Sequence, residues 1–165
     1  GIRTAAMFVS RIEDNEGNVI ASFQPRMNEV ISAESANKML VLLQGVVDGG
    51  TAGRLRYKYH LEGEIGGKTG TTNKNSDAWF IGFTPQLVTG IWVGGEDRDI
   101  HFDNMAMGQG ATMALPIWAY YMKKVYRNRA LGYNNKASFG LPEGFDPCPK
   151  QDADNTAYQI DEVYE

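Results

Sequence analysis

A lysine and three threonines lie among glycines at residues 66 to 72, in the order Gly-Gly-Lys-Thr-Gly-Thr-Thr. Lys68 supplies a positive charge, and the hydroxyls of Thr69 and Thr71 can donate hydrogen bonds to an anion. Gly70 has no side chain, so a ligand can lie close against the backbone there. These residue types in this order predict a strand edge that recognises a carboxylate.

The same segment can be compared with two known motifs. A phosphate-binding loop requires a glycine, four further residues and then Gly-Lys-Ser/Thr. Position 62, where that first glycine would lie, holds Glu62, whose carboxylate repels phosphate, so a nucleotide site is excluded. The second motif is the Lys-Thr-Gly element of penicillin-recognising serine enzymes, which lies on a strand beside the active site and matches residues 68 to 70.

Longer segments carry a resemblance to one family. Residues 67 to 92, GKTGTTNKNSDAWFIGFTPQLVTGIW, closely resemble the C-terminal half of the transpeptidase domain of class A penicillin-binding proteins. The resemblance continues upstream through residues 30 to 32 and 43 to 51, and downstream through residues 108 to 118. The sequences of these segments are less similar to those of serine β-lactamases.

The resemblance implies a peptidoglycan D,D-transpeptidase that forms an acyl-enzyme from a D-alanyl-D-alanine stem peptide, passes it to a neighbouring amine and is the target of β-lactams. It implies that Lys68 is catalytic and helps to move protons. It also implies that the backbone N–H of Thr71 is one of two oxyanion donors. Thr69, Gly70 and Thr71 are then the substrate-binding residues.

The serine nucleophile of that family is not found in this chain. The family order is Ser-x-x-Lys, then Ser-x-Asn, then Lys-Thr-Gly. The segment from Ser35 to Lys38, Ser-Ala-Asn-Lys, satisfies both of the first two patterns. One serine cannot fill both roles, and Ser35 lies too close to Lys68 for a helical subdomain to intervene. We therefore expect an exposed helix face there, and a chain that is inactive alone. The alternative is a non-catalytic scaffold or substrate-binding module derived from the same fold.

Localisation and partners are also implied by the resemblance. The family carries an N-terminal transmembrane helix and a glycosyltransferase domain before the transpeptidase, and neither occurs in this sequence. We expect a fragment of a single-pass protein on the periplasmic side of the inner membrane, with membrane contact only through that absent anchor. Expected partners are stem peptides, β-lactams and the missing N-terminal half of the transpeptidase domain, and no nucleic acid.

No cofactor or metal is expected. His60 and His101 lie far apart, without Cys or His neighbours at the spacing of zinc ligands. An acidic cluster lacks the central glycine and the final bidentate glutamate of a calcium loop, so we interpret it as a solvated loop. The cluster consists of Glu96, Asp97, Asp99 and Asp103.

Hydrophobic periodicity and turn residues predict an α+β fold in which an antiparallel sheet packs against helices. The second of three successive strands is apolar on both faces, which predicts a central strand covered by helices. The predicted elements are a hairpin over 8–24, a helix over 32–48, strands within 64–95 (64–71, 77–84 and 87–95) and a helix over 111–129.

Two regions are expected along the 165 residues. Residues 1–131 form the C-terminal portion of a transpeptidase domain. Residues 132–165 form an acidic tail rich in Gly, Pro and Asn, in which residues 143–165 hold seven acids and one base. Because the tail carries the negative charge, the acidity of the chain says little about the candidate site.

Overall fold

The structure is a computed structural model that describes residues 1–148. It contains three antiparallel sheets and two long helices, in the α+β arrangement that the sequence predicts. The elements in chain order are β1 Ile2–Thr4, β2 Arg11–Glu13, β3 Val19–Ser22, β4 Met27–Glu29, α1 Ala33–Asp48, α2 Arg54–Tyr57, β5 Gly66–Thr71, β6 Asp77–Phe83, β7 Val88–Gly94, α3 Met105–Gly108 and α4 Ala114–Arg127.

The largest sheet has the order β5-β6-β7, with both neighbours antiparallel to β6. Its strands lie within the three predicted ranges, and the predicted central position of β6 is confirmed. A tight turn joins β6 to β7, in which Thr84 N–H donates to Leu87 O over 2.9 Å and the Thr84 hydroxyl accepts from Leu87 N–H. Short connections of this kind favour antiparallel neighbours.

The helices cover one face of this sheet and leave the other exposed within the described chain. Ala78 and Phe80 are buried, whereas Trp79 is 43% and Ile81 48% exposed. The prediction that helices cover both faces of β6 is therefore wrong for residues 1–148. Side chains on both faces of β6 are apolar, which indicates that both faces are buried in some context. The sequence pattern does not show which face the chain itself covers.

The hydrophobic core lies between the covered face and the two long helices. The rings of Phe80 and Trp118 meet edge to face, with centroids 5.4 Å apart, and Val47 of α1 joins the same cluster. Helix α4 begins at Ala114, three residues later than predicted, and Pro116 lies in its first turn, where its missing N–H costs nothing.

Polar side chains fix the start of α1 and the turn of the hairpin formed by β2 and β3. Ser32 caps α1, because its hydroxyl accepts from the N–H of Ser35 over 3.2 Å. In the hairpin of β2 and β3, the carboxylate of Asp14 accepts from the N–H groups of Glu16 and Asn18, each over 2.9 Å. The hairpin and its neighbouring pair, β1 with β4, contribute no residue to the buried core.

Part of the segment after α4 docks onto the domain. The ring of Phe139 meets that of Phe83 edge to face at 5.7 Å, and the Ser138 hydroxyl donates to the Glu64 carboxylate over 2.7 Å. Most of the predicted acidic tail, residues 149–165, lies outside the described residues. Across the part that the structure describes, every helix is too short or too polar to traverse a bilayer.

Two glycines of the large sheet provide a test of how tightly the helix layer is packed. A Cβ at Gly82 would come within 2.5 Å of Trp118 Cε2, whereas one at Gly90 would meet only Ile81 Cγ1 at 3.7 Å. Gly82→Ala is therefore expected to lower the free energy of unfolding by about 1–3 kcal/mol. The new methyl group would meet the packed rings of Trp118 and Phe80, which cannot move aside.

Chemical denaturation measures this difference, with Gly90→Ala as the matched control on the exposed face. Equal stabilities of the two variants would contradict the packing of α4 on β6.

Candidate active site

The candidate residues divide between the two faces of β5. Strand pairing places Lys68 opposite Ile81 and Thr69 opposite Phe80. Because paired residues share a face, Lys68 lies on the exposed face and Thr69 on the face towards the core. By the same alternation, Gly70 lies on the exposed face and Thr71 on the face towards the core.

One edge of β5 is unpaired in the described chain. At the end of the β5–β6 ladder, Thr72 N–H donates to Asp77 O over 3.1 Å. In an antiparallel ladder the backbone groups of successive residues point alternately to the partner strand and away from it. The N–H groups of Thr69 and Thr71 therefore point to the open edge, where a ligand can pair with them.

The ammonium group of Lys68 lies at the same edge. Its Nζ donates to the carbonyl oxygen of Thr69 over 2.7 Å, and the side chain is exposed. A positive charge is thus held over the row of free backbone groups. Lys68 forms no ion pair within residues 1–148, so its charge is available to an anion.

The hydroxyls of the two threonines each have a partner that lies far away in the sequence. Thr69 Oγ1 and Thr51 Oγ1 are 3.0 Å apart, and Gly110 N–H donates to Thr71 Oγ1 over 3.1 Å. Because the Thr71 hydroxyl only accepts here, its own proton stays available to a ligand. Sequence reasoning did not assign Thr51 or Gly110 to the site, although both lie in segments that resemble the family.

The contact of Gly110 with β5 and β6 depends on the absence of a side chain. A Cβ at this position would come within 2.3 Å of Trp79 O and 2.6 Å of Gly70 O. The loop can approach because the Trp79 side chain lies on the opposite face of the sheet and Gly70 has no side chain. Arg54 of α2 fixes the next residue of the loop, donating to Ala111 O over 3.4 Å.

The turn after β5 is held by one carboxylate. Asp77 accepts from the indole N–H of Trp92 over 2.9 Å and from the hydroxyls of Thr72 and Ser76 over 3.2 Å each. The Trp92 hydrogen bond is the main reason that the pKa of Asp77 lies below its ordinary value, and the two hydroxyls and the Arg98 charge act in the same direction against partial burial. The carboxylate is therefore charged at neutral pH.

Ser35 and Lys38 are engaged in the first turns of α1 and not with each other. Ser35 Oγ accepts from the Ser32 hydroxyl over 3.0 Å, and Lys38 Nζ lies 2.6 Å from the Glu34 carboxylate. This hydrogen bond with Glu34 raises the pKa of Lys38, so its amine stays protonated. A protonated lysine does not accept a proton from a serine. Ser35 is exposed, whereas Ala36, Asn37 and Lys38 are half-buried, so the expected exposed helix face is found only at Ser35.

No group of three or more His, Cys, Asp and Glu side chains within residues 1–148 is placed to hold a metal ion. The acidic residues from Glu96 to Asp103 belong to an exposed connection between β7 and α3. Asp99 N–H donates to the Asp97 carboxylate over 3.1 Å, which is local turn geometry.

The sequence also matches a family model. The model is described as the penicillin binding protein transpeptidase domain, and it matches residues 1–96, more than half of the chain. The chain belongs to this family. The family that the sequence segments indicated is thereby confirmed.

Several relatives of the transpeptidase family are similar over most of the chain. Penicillin-binding protein 1A of Aquifex aeolicus is 38% identical over 127 residues, which cover 77% of this chain and 17% of the relative. Penicillin-binding protein 1A of Neisseria lactamica is 37% identical over 139 residues, or 78% of this chain and 16% of the relative. The chain thus spans about one sixth of the length of these relatives.

The fold is similar to that of a solved family member. The crystal structure of penicillin-binding protein 1A from Haemophilus influenzae superposes with a TM-score of 0.64 at 26% sequence identity. The match covers 82% of this chain and 25% of that structure. The α+β arrangement around the Lys-Thr-Gly strand is therefore the arrangement of this family.

The hydrogen bond from Trp92 to Asp77 can be tested by titration. Trp92→Phe removes the donor, so the pKa of Asp77 is expected to rise towards its ordinary value. Because the folded-state pKa lies below the unfolded one, the stabilisation is present at neutral pH and is lost as the pH falls through the folded-state pKa. The stability difference between wild type and variant should therefore shrink in acid.

NMR titration of the Asp77 carboxyl carbon measures the pKa directly. Trp79→Phe is the matched control, because Trp79 packs beside Trp92 at a centroid distance of 6.4 Å and makes no hydrogen bond to Asp77. An unchanged pKa in Trp92→Phe would contradict the assigned bond.

Proposed function

We propose that this chain is the Lys-Thr-Gly portion of a peptidoglycan D,D-transpeptidase. The observation that carries the proposal is the open edge of β5, where the Lys68 ammonium lies beside the free N–H groups of Thr69 and Thr71. Family membership supports it, and so do the names of the relatives. β-Lactams are proposed as inhibitors because they present a carboxylate and a reactive carbonyl to the same edge.

In the proposed reaction, a serine from another part of the enzyme attacks the carbonyl carbon of the penultimate D-alanine. The C–N bond breaks, D-alanine leaves with a proton, and a neighbouring amine later displaces the serine oxygen, which regains its proton. Lys68 keeps the site positive and assists these proton transfers. The Thr71 N–H stabilises the oxyanion, a contribution typically worth about 2.7–4 kcal/mol.

The substrate would bind as an additional strand along β5. Main-chain hydrogen bonds to the free backbone groups of Thr69 and Thr71 give the peptide its register. The Thr71 hydroxyl retains its proton for the terminal carboxylate. The Thr69 hydroxyl lies on the same face of β5, 3.0 Å from the hydroxyl of Thr51. Gly70 leaves the exposed face of the strand clear.

The exposed face of the sheet is the proposed contact with the rest of the transpeptidase domain. Trp79, Ile81, Val88 and Trp92 are 43%, 48%, 70% and 48% exposed and lie on the same face as Lys68. An apolar patch of this kind on a face that also presents a catalytic lysine marks a contact surface. We propose that a longer polypeptide covers it with the segment that carries the serine nucleophile.

The remaining features of the whole enzyme are proposed from the family alone. They are a serine-type mechanism, a glycosyltransferase domain upstream, a single N-terminal anchor and a position on the periplasmic side of the inner membrane. Within the chain, we propose residues 1–131 as the transpeptidase part and residues 132–165 as a tail. Phe139 and Ser138 of that tail contact Phe83 and Glu64 of the transpeptidase part.

The 165-residue chain alone is expected to form no covalent adduct with penicillin, because Ser35 is engaged at the helix cap and its neighbouring lysine is protonated. Intact-mass spectrometry after incubation with excess penicillin checks this. A stoichiometric adduct on Ser35 would overturn the assignment of the site. A full polypeptide that also stays unmodified would favour the non-catalytic scaffold instead.

In the full polypeptide, Lys68→Ala is expected to slow acylation by penicillin at least about a hundredfold, because it removes the charge at the site and the proton-transfer group. Stopped-flow or gel-based acylation rates measure the change. Ser35→Ala is the control and should acylate at the wild-type rate. A wild-type rate in Lys68→Ala would remove the Lys-Thr-Gly strand from the mechanism.

A further inference from the structure

Lysines and aromatic rings lie together where α4 meets the segment that follows α2. The rings of Tyr59 and Tyr120 are arranged edge to face, with centroids 5.6 Å apart. Lys58 Nζ lies 5.7 Å and Lys123 Nζ 5.9 Å from the centroid of the Tyr59 ring. Two ammonium groups therefore share one ring, whose π-electrons attract each of them.

The same side of α4 carries two more cations. Tyr120, Lys123, Lys124 and Arg127 lie at positions i, i+3, i+4 and i+7 of the helix, so their side chains share one side of it. The Tyr120 ring is 60% exposed, and Lys124 and Arg127 are exposed as well. We call the following six residues the basic face: Lys58, Tyr59, Tyr120, Lys123, Lys124 and Arg127.

The positive charge of the basic face is not balanced within the described chain. None of its four cations forms an ion pair within residues 1–148. Two stretches of sequence supply the face, residues 49–61 and 104–142, and neither contains an Asp or a Glu. Like charges that lie close together repel one another, so an anion bound among them is stabilised.

A segment of opposite charge follows in the same chain. Residues 149–165 lie outside the described residues, and their sequence contains five acids and one base. The resulting charge of −4 equals in size the charge of the four cations of the basic face. The segment also contains Tyr158 and Tyr164, whose rings are suited to pack against Tyr120.

The described chain ends on the side of the sheet that carries the basic face. After Glu34, the Cys148 thiol contributes to raising the pKa of Lys38, so it lies near the start of α1. Helices α1 and α4 cover the same face of the sheet.

The remaining segment is long enough to reach the basic face. Its 17 residues span up to about 56 Å when extended, at about 3.3 Å per residue. Helices α1 and α4 laid end to end measure about 45 Å, at about 1.5 Å per residue. The distance from residue 148 to α4 therefore sets no limit on contact.

We propose that the acidic segment 149–165 binds the basic face of the same molecule, with its carboxylates at Lys58, Lys123 and Lys124. Single ion pairs at a protein surface are weak, but a tethered segment meets its site at a high effective concentration. This interaction goes beyond the proposed transpeptidase chemistry and does not depend on it.

Carbodiimide cross-linking of the full polypeptide tests the proposal, because the reagent joins amines to carboxylates that are in direct contact. Peptide mass spectrometry identifies each link, and mixing isotope-labelled with unlabelled protein separates links within one molecule from links between two. Links within one molecule are expected from Lys58, Lys123 or Lys124 to acids of residues 149–165. Lys74, an exposed lysine in the turn after β5, is the matched control and should form no such link.

A variant with a neutral segment gives an independent measurement. It carries Asp152→Asn, Asp154→Asn, Asp161→Asn, Glu162→Gln and Glu165→Gln. Acetylation of Lys58 and Lys123 by an amine-reactive ester should be about threefold faster in this variant, which corresponds to a segment bound about two thirds of the time in the wild type. High salt should accelerate the same two sites in the wild type, and the rate at Lys74 should stay the same.

Links found only between different molecules would identify a second copy as the source of the acids and overturn the proposal. Equal linking of Lys74 and the basic face, or acetylation rates that do not change in the variant, would overturn it as well. Acylation by benzylpenicillin should proceed at the wild-type rate in the variant, so a failure of this proposal is distinguishable from a failure of the proposed function.

Discussion

The one-sided pairing of β5 is the constraint on which the rest of the structure depends. The strand is held by β6, and within residues 1–148 its other edge is unpaired, which under the proposed function leaves it open to a peptide. Unpaired edges are a hazard in most proteins, because any extended chain can add to them. Here the edge carries the Lys68 charge and free N–H groups in a fixed register, and under the proposed function these select an anionic, extended ligand.

Support for that strand comes mainly from its covered side. Helix α4 anchors β6 through the Trp118–Phe80 contact, and the loop at Gly110 lies directly against the backbone of β5 and β6. The Asp77 carboxylate then fixes the turn in which the strand ends. Rigid support of this kind keeps binding groups in place without using the ligand's own binding energy for ordering.

Much of this could be predicted from the sequence because local rules decide it. Helix α1 follows from its Ser32 cap and apolar periodicity, and the strand order follows from short turns. The contacts of Thr69 with Thr51 and of Thr71 with Gly110 could not be predicted, since they join residues 18 and 39 positions apart. The exposed face of β6 was missed for another reason: apolar residues show that a face is covered by something, but not by which chain.

The position of Gly110 has a consequence for antibiotic resistance, under the proposed function. This residue contacts the Lys-Thr-Gly strand on its core-facing side, where its N–H donates to the Thr71 hydroxyl. A substitution there would move Thr71 without altering any drug-contacting side chain. Lowered sensitivity to β-lactams could therefore arise in the segment before α4, and surveys of clinical variants limited to the pocket lining would overlook it.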